Sequence, residues 1–265
     1  MRLFLSLAAV VAVAVPASAE QLRLSLTNTA PVGGTFLTPI FFGAHDGSFV
    51  TFTPGQAASA GLQRLAEDGG PQTLLFDQLR AAGGVGGTAG GGPIASSQTV
   101  TLLLNIDPAR QQYLAFASMV IPSNDAFIGN PSPTLIPLFD TAGRFVPREG
   151  STAIRVTGGQ VWDAGSEVND ERPTTTAFLG QTVPNTGTDE NGVIRLHPGF
   201  LGSERLGGPR GGVLNDPRFP AGDFSADGYQ IAAITVSQVP APPAVVLVGI
   251  GLGLTALGRR FRRRA

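Results

Sequence analysis

The sequence predicts an all-β domain: an antiparallel β-sandwich with a short helical insertion, flanked by a signal peptide and a C-terminal transmembrane helix. Three observations predict it. Apolar and polar residues alternate over several short runs separated by Gly, Pro, Asn and Asp clusters. Helical spacing occurs in only two adjoining stretches, which do not alternate with strands and so argue against a doubly wound α/β fold. Both chain ends carry apolar runs with charged flanks.

In chain order, "MRLFLSLAAVVAVAVPASAE" places Arg2 before an apolar stretch from Leu3 to Val15, with small residues at Ala17 and Ala19. This is the pattern of a secretory signal peptide, residues 1–19, cut after Ala19. Leu22, Leu24 and Leu26 then alternate with polar residues and predict the first strand of a domain spanning residues 20–238. Stretches 60–66 and 72–82 predict two short helices, the second with Leu74, Leu75 and Leu79 at near-helical spacing. The stretch "GGVGGTAGGGP", residues 83–93, follows a helix and has no lysine, so it reads as a flexible surface loop and not a phosphate-binding one. Further strands are predicted at Val100, Leu102 and Leu104; from Leu114 to Val120; at Ile154 and Val156; at Val193 and Ile194; and from Ile231 to Val236.

The end, residues 239–265, opens on Pro240, Pro242 and Pro243, runs apolar from Ala244 to Leu257 and closes on Arg259, Arg260, Arg262, Arg263 and Arg264. The apolar run is short for a helix that rises ~1.5 Å per residue through a ~30 Å core, and snorkelling arginines make up the difference. The positive-inside rule keeps the arginine block cytoplasmic and leaves residues 20–238 outside the inner membrane.

Removing Arg2 and the five tail arginines from 18 basic residues leaves 12 against 19 acidic ones, a formal charge of −7. Nucleic acid, which needs a basic footprint, is therefore not an expected partner, whereas cations are. Cysteine is absent, so stability must come from an apolar core, with bound metal as a further contributor.

Candidate chemistry concentrates in "VWDAGSEVNDE", residues 161–171. Calcium takes about six to eight oxygen ligands. Asp163 and Glu167 converge on one ion if Gly165 turns the chain and Trp162 anchors the loop in the core. Asp125, in "IPSNDAFIG" just past an apolar strand, is the candidate from a second segment. The alternative is a solvated acidic loop. The stretch "NTGTDENG", 185–192, is a weaker candidate, because Glu190 stands where an EF-hand needs its turning glycine. His45, Asp46 and Ser48 have the residue types of a catalytic triad but are too close in sequence to line up; an Asp46-Gly47 turn, with His45 and Ser48 bonding nearby backbone, is expected instead. Asp163 and Glu167 could also serve a glycosidase, although one Trp and two Tyr offer little sugar platform.

Two resemblances add to this reading. The proline motif Val239-Pro240-Ala241-Pro242, apolar helix and basic tail resemble the PEP-CTERM sorting signal of bacterial exported proteins, with alanine where that family usually has glutamate. This implies a transmembrane sorting helix, processing by an exosortase, and release or surface attachment. The stretches "AHDGSFVTFTPGQAASAGLQRLAEDGG" (44–70), "ASMVIPSNDAFIG" (117–129), "VWDAGSEVNDE" (161–171) and "HPG" (197–199) together resemble the spondin domain, the N-terminal module of F-spondin and mindin. That family has an antiparallel β-sandwich in which three aspartates bind one calcium ion. The resemblance carries these ligands to Asp125, Asp163 and Glu167, the last longer than the family's aspartate by one methylene.

The expectation is thus a non-enzymatic, exported, calcium-binding protein of the bacterial envelope or extracellular matrix, acting in adhesion or matrix contact. Its partners would be the exosortase-type enzyme, the inner membrane before processing, and a polysaccharide or protein ligand outside the cell. The rivals are a secreted polysaccharide hydrolase using Asp163 or Glu167, and a metal-free structural surface protein.

Overall fold

The computed structural model describes residues 19–147, 151–200 and 212–240. The signal peptide and the sorting segment lie outside these residues, except for Ala19, Val239 and Pro240. Among the described residues no helix is long and apolar enough to cross a membrane.

The body is mostly β and forms two antiparallel sheets. The smaller has the order β5 (Thr99–Ile106), β1 (Glu20–Asn28), β11 (Gln230–Gln238), β8 (Ser151–Thr157). One face of it meets the core and the other meets water, so its residues alternate in burial. Leu22, Leu24 and Leu26 are fully buried, while Ser25 and Thr27 face outward and pair with Thr101 and Thr99. This is why alternation located these strands in the sequence.

The larger sheet has the order β10 (Arg195–Leu196), β9 (Trp162–Asp163), β7 (Ala126–Gly129), β6 (Tyr113–Ile121), β3 (Ile40–His45), β4 (Val85–Ala89). Short strand β2 (Phe36–Leu37) also pairs with β6. Both faces of its central strands are covered. Phe42, Leu114, Phe116 and Ile128 pack toward the first sheet, while Phe41, Ala115, Ala117 and Phe127 pack under helices α1 (Ala60–Asp68) and α2 (Thr73–Ala81). Every residue of β3 is buried, so "IFFGAH" has no alternation and escapes the period-two search.

Helix α1 starts where Ser59 Oγ accepts the Leu62 N–H, and buries Leu62, Leu65 and Ala66. It stops at Gly69, whose φ of +73° and close approach to Thr38 exclude a side chain. The observed helices match the two predicted stretches to within a few residues.

Two expectations are corrected. The glycine-rich stretch 83–93 is not a loose loop throughout, since residues 85–89 form edge strand β4 against β3. Its glycines have a packing reason: a Cβ on Gly86 would strike the Phe42 carbonyl and the Leu79 side chain, so only glycine lets α2 press on this edge. The strand predicted at 193–194 lies two residues further on, at Arg195–Leu196, because Arg195 and Leu196 are the residues that pair with Asp163 and Trp162.

Candidate metal centre

The three predicted ligands come from adjoining parts of one sheet end. Asp125 stands immediately before β7, Asp163 is the last residue of β9, and Ala126 and Asp163 are cross-strand partners. Trp162 anchors the loop as expected. Its ring lies edge-on to Phe52 at 5.1 Å between centroids, and Phe52 is edge-on to Phe127 at 5.0 Å. Gly165 turns the chain with φ +66°, and a Cβ there would meet the Val193 backbone at 2.7 Å.

Asp125 has no side-chain exposure, and its two oxygens differ sharply. Oδ2 accepts the Ser166 N–H at 2.8 Å, the Glu167 N–H at 3.0 Å and the Ser166 hydroxyl at 3.1 Å. Oδ1 is buried without a hydrogen-bond partner. Burial, then the neighbouring Asp163 charge, pushes this carboxyl up to about 7, against the pull of those hydrogen bonds.

Asp163 is equally buried but fully engaged. Oδ1 accepts the Gly165 N–H at 2.7 Å, and Oδ2 accepts Asn169 Nδ2 at 2.8 Å and lies 3.1 Å from Arg195 Nη2. Its charge already has a cation.

Glu167 is 3% exposed, and Oε1 accepts the Gly187 N–H at 3.0 Å. Burial raises its carboxyl to about 8, with the Glu67 carboxylate the next contributor. The wall facing Glu167 is the 185–192 segment, which pairs Asp189 with Glu167 and donates Glu190 N–H to Ser166 O and Gly192 N–H to Gly165 O. That segment, unsuited to an EF-hand, thus forms one side of the same site.

Asp170 is turned toward structure. Its Oδ1 accepts from Thr175 Oγ1 at 2.7 Å, the Arg172 N–H at 3.1 Å and Asn124 Nδ2 at 3.3 Å. Glu171 is buried and donates its N–H to Asn124 Oδ1. A shallow recess of about 290 Å³, lined by residues including Gln63, Gly165, Ser166, Asp189 and Asn191, lies beside the loop. No aromatic side chain is among its described lining residues.

Sequence reasoning missed Glu67. It sits in the last turn of α1, is 2% exposed, and neither carboxylate oxygen has a partner in hydrogen-bonding geometry. Gln63 and Ser166 are near enough to draw its pKa down, yet burial outweighs them and the carboxyl is raised.

Among the described residues, no three His, Cys, Asp or Glu side chains converge closely enough, as placed, to hold an ion. The donor set nonetheless fits calcium in kind. It offers only hard oxygens, one Asp125 oxygen is buried without a donor, and two carboxyls with raised pKa values stand where a cation would stabilise their charged forms.

Both histidines accept a nearby backbone N–H at Nδ1. The expected turn forms at 46–47: Gly47 N–H donates to His45 Nδ1 at 3.0 Å and Ser48 N–H to Asp46 Oδ1 at 2.9 Å. His197 accepts the Gly199 N–H at 3.1 Å and packs edge-on to Phe224, and burial followed by the Arg195 charge lowers it to about 4.

No protein-family model matches the chain, and no curated protein matches it.

Proposed function

We propose that this chain is an exported, non-enzymatic spondin-domain protein that binds calcium through Asp125 and Glu167, with Asp163 ordering the shared loop, and acts in adhesion or matrix contact at the bacterial envelope. The observation that carries the reading is the burial of Asp125 with Oδ1 unpartnered beside a second buried carboxylate. A bound calcium ion supplies positive charge and accepts oxygen ligands. The chain's own part is to hold Asp125 by the 166–167 amides and Glu167 by Gly187, so that the loop is largely shaped before an ion arrives.

The adhesion role rests on the sequence resemblance, as does processing of the tail. The hydrolase reading is weaker here, because a glycosidase needs two carboxyls facing sugar and Asp163 is fully buried and ion-paired. One observation favours the metal-free reading, in which Arg195 is the cation that Asp163 requires and protons neutralise Asp125 and Glu167.

Calorimetric titration of calcium into the chelator-stripped full chain separates these. Saturable binding near one ion per chain, lost in Asp125→Asn, is the expected result. At a hundred dissociation constants of free calcium the fold should gain about 2.7 kcal/mol. Absence of both heat and melting shift would leave the metal-free reading in its place.

A further inference from the structure

We propose that Glu67 of helix α1 is a further ligand of the calcium site, so that the ion fastens the helical insertion to the loops at the end of the larger sheet. This inference rests on the calcium reading above and extends it to a residue on a different element.

The argument starts from what Glu67 lacks. A carboxylate that is 2% exposed needs hydrogen-bond donors or a cation, and both of its oxygens are buried without a donor in bonding geometry. The nearest basic residue on its helix, Arg64, is committed to Asp68, with Nη1 at 2.7 Å from Oδ2. The helix does not need an acid there, since its burial rests on Leu62, Leu65 and Ala66 and its ends are capped by Ser59 and Gly69.

The surroundings define where the side chain belongs. The next residue, Asp68, accepts the Asn185 N–H at 3.1 Å, and Gly187, two residues on in the same segment, donates to Glu167 Oε1. Ser166, whose N–H and hydroxyl hold Asp125 Oδ2, is also a neighbour of Glu67. The end of α1, the 185–192 wall and the 163–167 loop therefore meet at one corner. That corner contains three buried carboxylate oxygens without hydrogen-bond donors, one from Asp125 and two from Glu67. The charged groups acting on these carboxyls include Glu67, Asp68, Glu167, Asp125 and Asp163, with Arg64 opposing them at Glu67. Asp163, by contrast, is occupied by Arg195. Among the family-implied ligands it has the least to offer an ion, and Glu67 supplies the missing oxygens.

Calcium titration of the full chain as wild type, Glu67→Gln and Glu67→Asp tests this, read by calorimetry and by hydrogen exchange of the α1 amides with and without the ion. Glu67→Gln keeps the shape and removes a buried charge. It should lower calcium affinity at least tenfold, leave the calcium-free melting temperature unchanged or higher, and abolish calcium-dependent protection of α1. Glu67→Asp, which keeps the charge on a shorter arm, should fall between. Wild-type binding with unchanged affinity in both variants and no effect of calcium on α1 exchange would overturn the Glu67 assignment while sparing the proposed function. No binding by the wild type would overturn both.

Discussion

Asp163 and Arg195 face each other across the β9–β10 pair, and Arg195 Nη2 lies 3.1 Å from a carboxylate oxygen that has no solvent exposure. The same guanidinium reaches Glu190 at 2.7 Å, so one half-exposed arginine ties the buried aspartate to the 185–192 wall. Replacing it by methionine keeps the aliphatic stem and removes the one cation paired with Asp163 among the described residues. Arg195→Met should cost about 2 kcal/mol in urea denaturation, as expected for a lost hydrogen bond to a buried charge. Glu190→Gln should cost less than about 1 kcal/mol, because that pair is only partly buried and water screens it. Equal losses from the two would show that the arginine acts through its surface partner.

The buried ionisable groups set opposing pH dependences. Folded Asp125 and Glu167 titrate at about 7 and about 8, above their ordinary 3.8 and 4.5. Between the ordinary and the folded value the unfolded chain has released a proton that the folded chain keeps, so stability falls as pH rises. His197 has the opposite sign: its folded value of about 4 lies below 6.5, so stability is lost as pH falls from 6.5 toward 4. Above pH 6.5 only the carboxyls remain in play. The melting temperature in chelator should decline from pH 6.5 to 8, and Asp125→Asn should reduce the decline. A flat profile in the wild type would refute the assignment.

Metal affinity should run the other way with pH. Calcium binds carboxylates and displaces their protons, so apparent affinity should rise between pH 6 and 8 with release of protons into the buffer. Calorimetry in two buffers of different ionisation enthalpy measures that release directly. Proton-independent binding would place the ion elsewhere on the chain.

Trp162 joins the loop to the core through Phe52 and Phe127. Trp162→Ala should cost about 3 kcal/mol and Trp162→Phe much less, since phenylalanine preserves an edge contact. Because it is the chain's single tryptophan, its emission reports on the residue next to Asp163 without added label. Thermal melts followed by this emission and by far-ultraviolet dichroism should coincide in the wild type.

Gly165 should tolerate no side chain. Its φ of +66° and the Val193 backbone at 2.7 Å from a would-be Cβ predict a loss of about 2 kcal/mol for Gly165→Ala. The loss should be accompanied by weaker protection of the Gly192 amide, which donates to the Gly165 carbonyl. An alanine variant as stable as wild type would mean that the loop has another accessible turn.

What could be read from the sequence follows how each element meets water. Strands β1, β5, β8 and β11 were legible because one side of their sheet is solvated, which imprints alternation on Leu22 to Leu26 and on Val100 to Leu104. Strand β3 left no such imprint because α1 and α2 cover its second face. The convergence of Asp125 with the 163–167 loop was foreseeable from a strand end and a glycine turn. Glu67 gave no comparable signal: it stands one residue past the stripe formed by Leu62, Leu65 and Ala66, where a helix surface usually meets water. Its neighbour across the corner is Ser166 of the 163–167 loop, remote in the chain and without periodic pattern. The pairing of Asp163 with Arg195 was hidden for the same reason, since β10 is only two residues long.

Strand β11 lies between β1 and β8, and Val239 continues its contact by donating to the Gln21 carbonyl at 2.8 Å. In a domain tethered through residues beyond this strand, traction enters along β11. Where the opposing force acts at the far end of the sheet, two hydrogen-bonded ladders are loaded lengthwise and their bonds share the load. Resistance to forced rupture is set by the unfolding barrier and not by equilibrium stability. The placement of β11 in the sheet interior would therefore give a domain tethered there an attachment held from both sides.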